Sequence, residues 1–202
     1  MYRAMTWAML QRHLDLSDAA AVAAHAAEPV IAVTTQSNGQ LVTCDDHDVT
    51  EAIRSGEVTS AVSAVSAVPD VRARLVLLQR EAVADAVAAG SGIVVEGRDI
   101  GTVVLPDADL KIFLTADEAA RASRRALEEA VRAGRSNPQQ AADDAAAEVA
   151  AQLAARDALD SGRAVSPLKP ASDAVLLDAS HLTLEDVVAH VVALVRERVS
   201  HV

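Results

Sequence analysis

Arginine and aspartate recur in this chain at spacings that could grip an anion. The first group is Gly97-Arg98-Asp99-Ile100-Gly101-Thr102. An arginine here presents five fixed N–H donors to a phosphate or carboxylate. The adjacent aspartate can accept from an amino group, and the flanking glycines let the backbone turn tightly or approach a ligand. A plainer alternative is an Arg–Asp pair bracing a loop. The second group is Arg156-Asp157-Ala158-Leu159-Asp160-Ser161-Gly162-Arg163. On a helix, Arg156 and Asp160 share a face at i,i+4, and Arg163 extends that face if the helix persists. Such a set could hold a sugar hydroxyl and a phosphate. Spacing alone favours a solvated ion pair worth only ~0.3–0.5 kcal/mol.

A third group is Arg121, Arg124 and Arg125, with Arg132 further along. Like charges at i,i+3 and i,i+4 repel by a few tenths of a kcal/mol per pair. A polyphosphate would relieve that repulsion, and so would Glu118, Glu128 and Glu129. The break at Gly134–Pro138 reads as the tip of a lid. Ser63 and Arg72 flank Pro69 and could line a base pocket, although spacing alone does not raise them above ordinary helix residues.

These groups need elements to position them. Apolar periodicity gives a helix over 4–15, and Ser17-Asp18 can cap a second helix reaching Ala27. Two alternating runs around Ser37-Asn38-Gly39 predict a β-hairpin, set apart from the main sheet. Residues 49–66 read as helical, and Pro69 opens a long helix to Ala89, closed by Gly90-Ser91-Gly92. Three short apolar runs, Ile93–Glu96, Leu110–Leu114 and Ala174–Leu177, suit buried parallel strands. Helices are expected over 116–133, roughly 139–158 and Thr183–Val199. Strands separated by helices imply βαβ units in a doubly wound α/β sheet, with the ligand site beyond the strands' carboxyl ends, at the loop after Val95.

The bulk properties exclude several classes. At 202 residues with 51% hydrophobic content, the chain can bury a real core. Its net charge of −11 argues against nucleic acid or anionic membrane as a partner. A single Trp, Tyr and Phe leave no stacking platform for single strands. One cysteine, Cys44, allows neither an internal disulfide nor a cysteine zinc site and reads as a packed hydrophobe. The six histidines show no metal-like pairing, and His47 among Asp45, Asp46 and Asp48 reads as a solvated loop. No apolar run reaches the ~20 residues of a membrane span. No secretion signal is evident at the start, so a cytoplasmic location is expected. Neither a G-x-S-x-G elbow nor a G-x-x-x-x-G-K-[ST] phosphate loop occurs in the 202 residues.

Taken together, MYRAMT, VVEGRDIGTVVLPDADLKIFLTA, RASRRALE and RDALDSGRAVSPLKPASDAVLLD resemble the bacterial cytidylate kinases, nucleoside monophosphate kinases of the P-loop class. The hairpin and EAIRSGEVTSAVSAVSAVPDVR also fit that family, so the resemblance covers essentially the whole chain. It implies a P-loop-kinase-like parallel sheet with flanking helices (1–27, 70–120 and 164–202). It also implies a monophosphate-binding β insert (28–69) and a helical lid (121–163). ATP would phosphorylate CMP or dCMP with Mg²⁺. By motif, Arg3 and Arg98 would hold the acceptor phosphate, and Ser63, Arg72 and Asp99 would read the cytosine. Arg156 and Asp160 would meet the sugar, Arg163 the phosphates, and Arg124 and Arg125 would be lid arginines over the transferring group. A monomer is expected.

Family members carry, ahead of the point matching Met1, a strand, a glycine-rich phosphate loop with its Lys, and a helix. The expectation is therefore that this unit, roughly 30 residues, is missing here, through a mis-assigned start or a shortened chain. No ATP-binding residue is then identifiable, no protein metal ligand is expected, and phosphate transfer by the chain as written should be poor. The competing readings are a non-catalytic nucleotide-binding or interaction protein of this fold, and a kinase for another acceptor such as UMP or a shikimate-like alcohol.

Overall fold

The structure is a computed structural model that describes residues 1–36, 39–162 and 168–200. The chain forms two compact units, Met1–Val95 and Glu96–Val202.

In the first unit, α1 (Tyr2–Gln11) buries Ala4, Met5, Ala8 and Met9, an i, i+1, i+4, i+5 stripe along one side. Asp18 caps α2 (Ala19–Ala24) by accepting from the Ala20 and Ala21 N–H groups. Next come β1 (Ile31–Gln36), β2 (Gly39–Cys44) and β3 (His47–Asp48), an antiparallel sheet in the order β1-β2-β3. The register sets Ile31 opposite Cys44 and Val33 opposite Val42. The hairpin expected from the alternation is present as a small separate sheet; its turn residues Ser37 and Asn38 lie outside the described residues.

The stretch around His47 is solvent-exposed, and within it the chain makes a second, tighter turn. Asp45 and Asp46 both take positive φ (50° and 63°), and this left-handed pair reverses β2 into β3. Asp45 also accepts from Val30 N at 2.8 Å and from Arg12 Nη2 at 3.0 Å, which ties the turn to β1 and α1.

A short 3-10 turn (Ala52–Arg54) precedes α3 (Gly56–Ala67), which Ser55 caps. α4 (Pro69–Ala88) begins with proline at its first turn. Met5, Met9, Val22, Cys44, Val65, Val71 and Leu75 form one core that joins α1 and the β piece to α2, α3 and α4.

The second unit opens with a π-helical turn at Ile100–Val104, where sequence reading expected only a loop. β4 (Ile112–Thr115) pairs in parallel with β5 (Val175–Asp178), Ile112 opposite Val175. α5 (Glu118–Arg132) and α6 (Pro138–Ser161) pack through Ala122, Ala126, Ala142 and Val149, small residues that let the two backbones approach. α7 (Leu184–Val199) starts at a Thr183–Asp186 capping box.

Two expectations need correction. Residues Ile93–Glu96 form no strand, and the parallel sheet has two strands rather than three. An apolar run becomes a strand only when another strand pairs with its N–H and C=O groups. Among the described residues none does so here, and Val94 is 90% exposed. Helix bounds also shift: α1 stops at Gln11 and α2 at Ala24, while α6 continues to Ser161.

Candidate functional site

The first unit positions Arg3, Ser63 and Arg72 around the start of α1 and the end of α3. Arg3 Nη1 donates to the Ile53 carbonyl (2.8 Å) and to Thr59 Oγ1 (2.9 Å), so the guanidinium is fixed against the 3-10 turn and α3. Arg72 lies one turn into α4 and is only 5% exposed. Its Nη1 donates to the Ser66 carbonyl at 3.3 Å, and its guanidinium sits 5.6 Å from the centre of the Tyr2 ring. Ser63 lies one turn before Ser66 and is half-buried. A buried arginine over an aromatic ring is a planar, charged wall, a shape suited to a flat ring such as a nucleobase.

The second unit gathers a charge cluster from three stretches of chain. Arg98, in the loop after Gly97, donates through Nε to Asp160 Oδ2 at 2.7 Å and through Nη2 to Asp157 Oδ1. The other oxygen of Asp157 accepts from Arg121 Nη1 on α5. Asp157 and Asp160 stand at i,i+3 on α6, so one helix face supplies both carboxylates. Arg156 reaches the same group, with its Nε 4.0 Å from Asp160 Oδ2. Asp160 is 4% exposed and Asp99 7%.

A Cβ at Gly97 would come within 2.9 Å of the Ile100 side chain, so any larger residue there obliges Ile100 to shift. The Asp99 carbonyl accepts from Val103 N at 2.9 Å and from Val104 N at 3.4 Å, and the Ile100 carbonyl accepts from Leu105 N at 2.7 Å; the last two are the five-residue bonds of the π-helical turn. That turn fixes the backbone from which Asp99 projects.

The electrostatics of this cluster follow from its members. Burial pushes the Asp157 carboxyl up, but the bonds from Arg98 and Arg121 overcome it and hold the group below the usual carboxylate range. Burial lowers the Arg156 pKa, with Asp160 opposing. Among the described residues three guanidiniums, those of Arg98, Arg121 and Arg156, face two carboxylates, which leaves one positive charge in surplus. Among the described residues the buried Nε groups of Arg121 and Arg156 make no hydrogen bond. The part-exposed guanidinium of Arg98 and the positive charge around it suit an anionic ligand.

The arginine stack on α5 is neutralised by the chain itself. Arg125 pairs with Glu129 (2.6 Å) and Glu128 (3.1 Å), and Arg132 with Glu128 (3.0 Å). Arg124 donates to the carbonyls of Ala179 (2.5 Å) and Leu182 (3.0 Å), in the connection between β5 and α7. Arg163 lies outside the described residues. The sequence placed Arg121 only in a polyphosphate-binding arginine stack and gave Asp157 no role of its own. The i,i+3 spacing of Asp157 and Asp160 was a usable signal, but the contact to Arg98 spans 59 residues and leaves no local trace. Among the described residues no three His, Cys, Asp or Glu side chains group to hold a metal ion, and no helix is long and apolar enough to cross a membrane.

Comparison with known proteins identifies the family. A family model described as cytidylate kinase matches residues 1–197. The cytidylate kinase of Streptomyces coelicolor is 52% identical over 197 residues, covering 98% of this chain and 79% of the relative. That of Streptomyces avermitilis is 50% identical over 197 residues with the same coverage. That of Desulfitobacterium hafniense is 46% identical over 199 residues, covering 98% of this chain and 80% of the relative. Half-identity sustained along nearly every residue here leaves one assignment: the chain belongs to the cytidylate kinase family, which are phosphotransferases.

Proposed function

We propose that this protein transfers the terminal phosphoryl group of ATP to CMP or dCMP, giving CDP or dCDP. The observation that supports this most is the cluster of Arg98, Arg121 and Arg156 on Asp157 and Asp160, next to the buried Asp99. The chemistry asks little covalent work of the protein. The acceptor phosphate already carries the attacking oxygen, so positioning and positive charge are the main requirements. Arg3 and Arg98 take the acceptor phosphate. Asp99 accepts from the exocyclic amine of cytosine; uracil presents an oxygen there and would be repelled. Ser63 and Arg72 complete base recognition, Arg156 and Asp160 meet the sugar, and Arg125 and Arg163 serve the transferring group. Arg124 would have to release the Ala179 and Leu182 carbonyls before it could join them. Residues 28–69 act as the acceptor-binding insert and 121–163 as the lid.

The described residues do not fit a resident Mg²⁺, because Asp157 and Asp160 are already engaged by guanidiniums. Mg²⁺ therefore enters with the phosphates of ATP, as part of that substrate. On this reading the chain binds CMP and forms CDP. A monomer acting on soluble nucleotides in the cytoplasm completes the proposal.

Calorimetry with CMP and ATP, together with a CDP-formation assay on purified residues 1–202, tests both parts. Saturable CMP binding is expected. Absence of CMP binding in a folded, monodisperse sample sinks the nucleotide reading, and CMP binding without CDP formation favours a non-catalytic nucleotide-binding protein of this fold.

A further inference from the structure

Asp157 joins two arginines that lie on different elements, one on each of its oxygens. Its oxygens divide between Arg98, in the Gly97–Thr102 loop, and Arg121, on α5. Arg98 is also held by Asp160, but there Nε and Nη2 both lean on a single oxygen, Oδ2. One oxygen can serve as a pivot about which the guanidinium plane swings. A second carboxylate on Nη2 removes that freedom. Asp157 is itself pinned by Arg121, so the plane of Arg98 is referred to two helices, α5 and α6. Asp157 thereby occupies the Nε/Nη2 edge of Arg98, and Nη1 makes no bond among the described residues.

We infer that Asp157 is a positioning residue for the acceptor phosphate: it fixes the Arg98 guanidinium so that the phosphate meets a pre-oriented donor. The inference rests on the CMP reading given above. Two effects oppose each other when Asp157 is neutralised. The local positive charge rises by one, which favours a phosphate. Arg98 and Arg121 regain rotamer freedom that binding must then remove, which disfavours it. The cluster is half-buried rather than sealed, so solvent screens the added charge, and the ordering cost prevails.

The test is calorimetric titration of the full chain with CMP and with cytidine, which lacks the phosphate. Asp157→Asn is expected to weaken CMP about tenfold, the scale of re-ordering one or two long side chains, and to leave cytidine unchanged. Asp157→Glu, which keeps the charge, should restore most of the CMP affinity. Arg121→Gln removes one anchor of Asp157 and should weaken CMP in the same direction by less, which provides a second reading if Asp157→Asn does not fold. CMP affinity that is unchanged or tighter in Asp157→Asn overturns the inference, as does an equal loss for CMP and cytidine. If the wild-type chain binds CMP no better than cytidine, the phosphate assignment of Arg98 fails, and the role of Asp157 with it.

Discussion

At the scale of single residues, charge is placed by its neighbours rather than by the overall balance. The protein carries a net charge of −11, yet its GRD loop meets a local surplus of guanidinium. On the proposed function, base choice turns on Asp99. Asp99→Asn presents an amide that can donate to the uracil oxygen, so the ratio of CMP to UMP affinity should fall about tenfold, the worth of one good hydrogen-bond mismatch. Competition binding measures it, and an unchanged ratio counts against the cytosine assignment. Asp45 makes a prediction about pH. The Val30 N–H holds its carboxyl below the ordinary range, burial opposes, and Arg12 adds to the lowering. A depressed folded pKa means the stabilisation is complete above the unfolded value of about 4 and disappears as pH falls through the folded value. Asp45→Asn should therefore show a shallower loss of stability between pH 5 and about pH 2 than wild type, read from urea midpoints. Parallel profiles would mean that the Val30 and Arg12 contacts do not persist in solution.

At the scale of elements, the two units solve their packing differently. The first uses Met5, Met9, Leu75 and valines to fill one core, since the chain has almost no aromatic residues. Leu75 on α4 is fully buried. Leu75→Ala should cost about 2–5 kcal/mol in chemical unfolding, the range for a leucine cavity that relaxes incompletely. A loss below 1 kcal/mol would indicate that α4 is free to collapse onto the gap. The second unit relies on alanine: α5 and α6 approach through Ala122, Ala126 and Ala142. That close approach lets Arg121 on α5 reach Asp157 on α6. Arg124 then joins α5 to the β5–α7 connection through main-chain carbonyls.

At the scale of the molecule, apolar surface remains in contact with water. Leu184, Val188, Val192 and Val195 repeat along one side of α7 and are 75%, 52%, 39% and 42% exposed. Leu114 and Leu176 on the parallel pair are exposed too, although parallel strands are ordinarily covered on both faces. An exposed leucine contributes little to folding, so Leu184→Lys should leave the unfolding midpoint of the isolated chain unchanged to within about 0.5 kcal/mol. A larger loss, or a concentration-dependent midpoint, would show that this side of α7 is covered in solution.

Most helices, the Asp18 cap and the hairpin were legible in the sequence because they depend on local rules, whereas the caps at Ser55, Asp117 and Thr183 emerged with the structure. The GRD and RDALD motifs were legible as chemistry because arginine and aspartate have few other uses at such spacing. What they touch was not. The fate of Ile93–Glu96 depends on whether a partner strand is present, and the three-strand expectation failed on that point. The left-handed pair Asp45-Asp46 gave no hydrophobic signal. The role of Asp157 follows from contacts 36 and 59 residues away in sequence, to Arg121 and Arg98. Sequence by itself determined which groups could bind an anion, because residue type and backbone propensity are local. Only tertiary structure decided which carboxylate meets which guanidinium, because that pairing is set by how closely α5 and α6 pack and where the loop after Gly97 returns.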